Sequence, residues 1–159
     1  MGTQPFTKPI LNDLTDLIDT VLNSINPSSA VYLNRNTVDA AYAGYIFGLI
    51  LAAVERIADA NTVRLRSAQA LQSQAAPTVF IIRGSPGPLT STSQDFGFAS
   101  FSYKTVPFEI HLGVQYRGSS GVLHEFDVSI ITRRAADECR ATNKAPGPSK
   151  AAALFECKC

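Results

Sequence analysis

The spacing of apolar residues changes from a helical period to an alternating one about halfway along the chain. Apolar residues recur at steps of three and four from Ile10 to Ile25, with aspartates between them. This spacing predicts an amphipathic helix that ends before Pro27. Residues 26–36, which contain a proline between serines and asparagines, are predicted to form a connection.

A second helix is predicted from Asn36 or Thr37 to about Ala60. Its central run of apolar residues is shorter than the roughly 20 that a bilayer span requires, and it is apolar on nearly all sides. We therefore expect this helix to be buried in the protein and not in lipid. Gly44 and Gly48, four residues apart, would allow another helix or the sheet to approach closely.

From Pro77 onward the pattern is that of β-strands. Residues 62–76 are ambiguous, because 63–66 alternate like a strand whereas 68–74 have a helical composition. A glycine-rich turn at 117–121 predicts a hairpin, and the polar segment 135–150 reads as a connection. The predicted strands are 78–82, 98–103, 108–116, 122–131 and 152–159. This order predicts a single α+β domain over residues 1–159, with a helical part at 1–60 and a sheet part at 77–159.

Composition narrows the class of protein. With 45% hydrophobic residues, 17% charged residues and a formal net charge of +1, the chain suits one globular domain with a sizeable core. These values exclude a disordered arm and a strongly basic nucleic-acid coat protein. Three cysteines near the end of the chain do not form a disulfide framework, and no export signal is visible. We therefore expect a cytoplasmic protein that is not inserted in a membrane.

Basic residues are concentrated after Asp127, where six lysines and arginines face three acidic residues. A polyanion would bind preferentially at this end of the chain. The candidate nucleic-acid contacts are Arg133, Arg134, Arg140 and Lys144. A solvated loop with ordinary surface charge is an equally weighted alternative.

Three charged residues in the last strands form the candidate catalytic site. The two-residue period of a strand places Glu125 and Asp127 on one face and His124, Phe126 and Val128 on the other. Glu156 and Lys158 share a face of the last strand by the same rule. If the two strands are neighbours, Asp127, Glu156 and Lys158 converge. Such a carboxylate pair suits Mg²⁺, and a nearby lysine can orient an attacking water. The alternative is a surface or structural ion pair.

The pattern resembles the PD-(D/E)XK nuclease superfamily, which has the restriction-endonuclease-like fold. The resemblance is carried by His124-Glu-Phe-Asp127 and, after a variable insertion, by Phe155-Glu-Cys-Lys158. It implies that Asp127 and Glu156 are ligands of Mg²⁺ or Mn²⁺ and that Lys158 is the catalytic lysine. The superfamily often supplies a further acid, for which Glu55 and Glu109 are the rival candidates.

The resemblance implies a metal-dependent nuclease that hydrolyses phosphodiester bonds, most plausibly in DNA. Since a helix and a strand normally follow the E-x-K strand, it also implies that the chain is a fragment of a longer polypeptide. Many such nucleases cut as dimers, so a homodimer is expected by analogy. Two alternatives from other classes stay open: a non-catalytic module of the same fold that binds nucleic acid or protein, and a structural interaction domain.

Overall fold

The structure of the chain is a computed structural model that describes residues 8–26, 30–33, 38–73 and 75–156. Helices precede most of the strands in these ranges, which confirms the predicted α+β class. The elements are α1 (Lys8–Ile25), β1 (Ala30–Leu33), α2 (Val38–Glu55), β2 (Arg64–Ser67), β3 (Val79–Ile82), β4 (Gly97–Tyr103), β5 (Val106–Arg117), β6 (Leu123–Thr132), α3 (Arg133–Thr142) and β7 (Ala151–Phe155), the last preceded by a 3-10 turn, Pro148–Lys150.

The described strands form two sheets. The larger one has the order β2-β4-β5-β6-β7, and every neighbouring pair is antiparallel. The predicted hairpin is confirmed, because β5 and β6 pair from Phe108 opposite Thr132 to Arg117 opposite Leu123. In the smaller sheet β1 runs parallel to β3, so the prediction of a plain connection at 26–36 was wrong. The partner of β1 lies more than forty residues away, beyond the reach of a local pattern.

Helix α2 packs on β5 and β6 of the larger sheet, α1 packs on α2 and β1, and both helices contribute to the main core. Both helices contribute fully buried side chains, such as Ile18 of α1 and Phe47 of α2. The sheet contributes Phe101, Ile110 and Val128 from its three central strands to the same cluster. Burial of this apolar surface, at about 25 cal/mol per Å², supplies the main favourable contribution to folding.

The apolar helix α2 packs inside the protein, as predicted. Leu51 is completely buried and Ile46 is partly buried, whereas Leu49 faces solvent. Gly44 lies against Ile82 of β3 and Ile18 of α1, so both the helix and a strand approach closely at this position. Across the described part of the chain, no helix is both long enough and apolar enough to span a bilayer.

The two glycines of α2 lead to a prediction about stability. A Cβ at Gly44 would lie 2.7 Å from Ile82 Cδ1 and 3.0 Å from Ile18 Cδ1, whereas one at Gly48 would meet nothing closer than 3.6 Å. We expect Gly48→Ala to raise the free energy of unfolding by up to about 1 kcal/mol through helix propensity. Gly44→Ala should lower it by about 1 kcal/mol, because overpacking outweighs that gain. Urea unfolding of both variants measures the difference, and equal stabilisation at the two sites would contradict the packing.

Gly113 changes the face to which residues of β5 point. Ile110 and Leu112 belong to the core under α1 and α2, whereas Val114 and Tyr116 pack in a second cluster with α3. The alternation of side chains between the two faces of the strand is therefore shifted by one residue between Leu112 and Val114. Gly113 has a φ of 56°, in the left-handed region that glycine adopts at little cost.

The neighbouring strand β6 changes face at the same level. Phe126 packs in the second cluster, where its ring meets Tyr116 edge-on at 5.6 Å, whereas Val128 lies in the main core. The prediction that Phe126 and Val128 share a face is therefore wrong. The cause is the slip beside Gly113, because a regular strand would keep residues two apart on one side.

The segment 135–150, predicted as a polar connection, begins within helix α3. The Thr132 hydroxyl caps the helix by accepting a hydrogen bond from the Ala135 N–H at 3.3 Å. Asn143 ends it in a left-handed conformation. Residues 68–73, which have a helical composition, instead form turns, and the Gln69 N–H donates to Asp95 Oδ1 at 2.7 Å.

Candidate functional site

The register of β6 with β7 ends one residue before two of the predicted site residues. Val128 lies opposite Phe155 in this antiparallel pair, so the next residues outward are Asp127 on β6 and Glu156 directly after β7. Asp127 is partly buried and Glu156 is exposed. Lys158, the predicted catalytic lysine, lies outside the described residues.

Asp127 also lines a cavity of about 310 Å³ between β6 and the start of α2. Glu125, which was predicted to share a face of β6 with Asp127, lines the same cavity. Asp39 contributes a third carboxylate from the first turn of α2. Burial raises the pKa of Glu125, and the negative charge of Asp127 acts in the same direction. The cavity therefore combines three carboxylates and has a negative potential that favours cations.

Arg83 lies on the wall of this cavity, in the turn that follows β3. Its side chain passes close to Gly113, where an added Cβ would come within 2.9 Å of Arg83 Cδ. The guanidinium carbon lies 4.1 Å from the centroid of the Phe96 ring. This cation–π contact stabilises the positive charge of Arg83. Gly113 therefore leaves space for the stem of Arg83, whose guanidinium group lies against Phe96 in a separate cavity of about 230 Å³.

Glu55, one of the two candidates for a further metal-binding acid, lies far from this cavity. It is the exposed last residue of α2, whereas Asp39 lies at the other end of the same helix. At 1.5 Å per residue, the two Cα positions are roughly 24 Å apart. The helix acid that the structure brings to the cavity is Asp39, and the candidate Glu55 is corrected accordingly.

Glu109, the other candidate, is buried on the opposite face of the sheet and is held by cations. Arg140 of α3 donates to both carboxylate oxygens, from Nη1 to Oε1 at 3.1 Å and from Nη2 to Oε2 at 2.6 Å. His111 Nε2 lies 2.8 Å from Oε2, and Arg133 Nε lies 3.5 Å from Oε1. Both oxygens are already engaged by the protein, so this carboxylate joins α3 to the sheet and is not directed at the Asp127 cavity.

The charge states within this cluster follow from burial and hydrogen bonding. Burial alone would raise the pKa of Glu109, but the hydrogen bond and charge of His111, followed by those of Arg140, hold it at about 2. Burial lowers the pKa of His111, so its neutral imidazole donates Nε2–H to the carboxylate at neutral pH. Arg140 carries a permanent positive charge and binds both Glu109 oxygens, which makes the two residues a buried ion pair.

The predicted nucleic-acid contacts are only partly accessible. Arg140 is bound to Glu109 and to Asp137, with a side chain that is 17% exposed. Arg134 lies 3.3 Å from Glu138 on the exposed side of α3, and Lys144 is exposed beyond the end of the helix. Arg140 is therefore a structural residue, and the basic residues of this segment do not form one continuous free surface.

Among the residues that the structure describes, no group of three His, Cys, Asp or Glu side chains is arranged to hold a metal ion. Asp127 and Glu156 are only two carboxylates, but Mg²⁺ is commonly bound by one or two. No protein-family model, curated protein or solved structure matches the chain. The arguments for function therefore depend on the residues and their geometry.

Two residues of the acidic cavity are absent from the site predicted by the sequence. Asp39 lies in the first turn of a predicted helix, where an acidic residue ordinarily stabilises the helix and does not indicate a functional site. Arg83 lies in a turn rich in glycine and proline, and its pattern resembles no phosphate-binding loop. The sequence does show that Asp39 is an acidic residue in the first turn of an otherwise apolar helix. That this turn lies beside β6 follows only from the fold.

Proposed function

We propose that this protein is a metal-dependent nuclease that hydrolyses phosphodiester bonds, with DNA as the substrate. The observation that carries the proposal is the cavity at Asp127, where Glu125 and Asp39 add two more carboxylates that attract a cation. The position of Glu156 adds support, because it directly follows β7, whose register with β6 ends at Phe155 opposite Val128, the residue after Asp127.

The donor set fits Mg²⁺ or Mn²⁺, since both ions prefer carboxylate oxygens. Asp127 and Glu156 would hold the ion. When bound, a divalent ion supplies charge stabilisation for a phosphate group under attack. Lys158, two residues after Glu156, would orient the attacking water and stabilise negative charge on the phosphate.

The finer fold assignment belongs to the same proposal. Strands β5, β6 and β7 are consecutive neighbours in the sheet, as expected for three strands of a restriction-endonuclease-like core. Helix α3, between β6 and β7, would be an insertion between the strand that carries the acid and the strand that carries E-x-K. A cytoplasmic location is also proposed, with the buried free thiol of Cys139 as the supporting observation.

Cleavage of supercoiled plasmid DNA by the full-length natural protein tests the proposal. We expect nicked and linear DNA to form with Mg²⁺ or Mn²⁺ and the cleavage to stop when a chelator is added. A gel-shift assay on the same samples separates binding from cleavage. Binding without cleavage under all metal conditions would contradict the nuclease and favour the non-catalytic alternative, and cleavage that survives the chelator would contradict the metal site.

A further inference from the structure

Another cavity, of about 250 Å³, lies on the face of the sheet that points away from α1 and α2. Leu65 of β2 packs in the main core, so its neighbours Arg64 and Arg66 point to this other face. None of the described lining residues is acidic, and the charged ones are all arginines. The polar lining is Asn61, Thr62, Arg64, Arg66, Ser100, Ser102 and Arg133.

Arg66 is the central residue of this cavity and is only 8% exposed. Its Nε donates to the Ser100 hydroxyl at 3.2 Å, and its Nη1 donates to the Ser73 carbonyl oxygen. Both acceptors are neutral, and no described carboxylate lies within ion-pairing distance of Arg66. A buried charge in a protein is ordinarily paired with one of opposite sign, so Arg66 has hydrogen bonds but lacks a counter-charge.

The neighbouring charges increase this imbalance. Burial lowers the pKa of Arg66, and the positive charges of Arg133 and then Arg64 act in the same direction. Glu109 opposes them, but this single negative charge is shared by Arg140, which binds both of its oxygens, and by Arg133. Three guanidinium groups therefore share a concave surface, and of these only Arg133 has a carboxylate within ion-pairing distance, Glu109 at 3.5 Å.

We propose that this cavity binds a phosphate group between Arg64, Arg66 and Arg133. Guanidinium groups bind oxyanions through paired, charge-assisted hydrogen bonds, and a tetrahedral phosphate can accept such bonds from several directions. The hydroxyl groups of Ser100 and Ser102 add uncharged donors to the same lining. The site is separate from the Asp127 cavity and does not depend on the proposed nuclease activity.

Titration with inorganic phosphate, without divalent metal and at constant ionic strength set by sodium chloride, tests the site. We expect phosphate to raise the thermal midpoint of the full chain in a saturable manner. Arg64→Gln should weaken the apparent phosphate affinity about tenfold by removing one charge-assisted contact. Arg56→Gln removes the same charge at an exposed position outside the cavity and should leave the affinity unchanged.

Arg66→Met and Arg133→Gln should weaken phosphate binding as well, and Arg64→Gln keeps the test valid if a buried substitution impairs folding. The proposal would be overturned if phosphate raised the thermal midpoint no more than chloride does. It would also be overturned if phosphate stabilised the Arg64→Gln and Arg56→Gln variants equally. A fluorescent single-stranded oligonucleotide distinguishes the sources of the phosphate. Weaker oligonucleotide binding in Arg64→Gln supports backbone phosphates as the ligand, whereas an effect on inorganic phosphate alone supports a free phosphate or monoester.

Discussion

Replacing Asp127 by asparagine is expected to reduce DNA cleavage about a thousandfold, because a bound divalent ion contributes several kcal/mol to phosphoryl transfer. The substitution preserves the size of the side chain but removes its negative charge. Asp127 is only partly buried, and asparagine fits the same space, so the fold should be retained. Initial rates of plasmid nicking and calorimetric titration with Mn²⁺ measure the two effects.

Two further variants sharpen this test. Asp13→Asn makes the same chemical change at an exposed position of α1 and should leave cleavage and metal binding unchanged. Lys158→Ala should reduce turnover strongly while sparing most metal binding, because an ammonium group does not coordinate a cation. Full activity of both the Asp127 and the Lys158 variants would refute the proposed site.

The second large effect is expected at the buried pair between α3 and β5. Arg140→Met leaves the Glu109 carboxylate in a buried site without its main counter-charge, which should cost about 3–5 kcal/mol in the free energy of unfolding. Glu109 is only 1% exposed, so water cannot replace the lost partner. Urea unfolding monitored by circular dichroism measures the loss.

The double variant Glu109→Gln with Arg140→Met is the matched control, because removing both charges of a buried pair is often close to neutral. It should recover most of the stability that Arg140→Met loses. A single variant as stable as the wild type would contradict the buried ion pair.

The same pair predicts a pH dependence. The pKa of Glu109 falls from its ordinary 4.5 to about 2 on folding, so its contribution to stability is complete above pH 4.5 and is lost as the pH falls toward 2. The wild type should lose stability across this range more steeply than Glu109→Gln.

Patterns within short stretches of sequence predicted much of the fold. The apolar repeat of α1 and the apolar run of α2 identify these helices because both patterns depend on neighbouring residues only. The hairpin of β5 and β6 was predictable for the same reason, since its turn is local. Strand β1 was missed because its pairing is with a distant segment, and α3 because its polar surface obscured the Thr132 cap.

The candidate site divides along the same line. Asp127 and Glu156 were predicted from strand alternation and a neighbouring pair of strands; β6 and β7 are neighbours, and their register ends at Val128 opposite Phe155. Glu109 and Arg140 are 31 residues apart, and no local pattern indicates that one neutralises the other. The slip at Gly113 was equally hidden, because a single residue with a positive φ changes the face of every residue that follows it.

Helix α3 is attached to the sheet in an unusual way. Its buried side chains, Ala135, Ala136 and Cys139, are small, and a buried ion pair replaces the large apolar anchors that most helices use. Local opening of α3 would hydrate Glu109 and Arg140 together, which returns solvation energy to both charges. The amides of α3 should therefore exchange with solvent through a partly unfolded state in which the sheet and the α1–α2 layer remain intact.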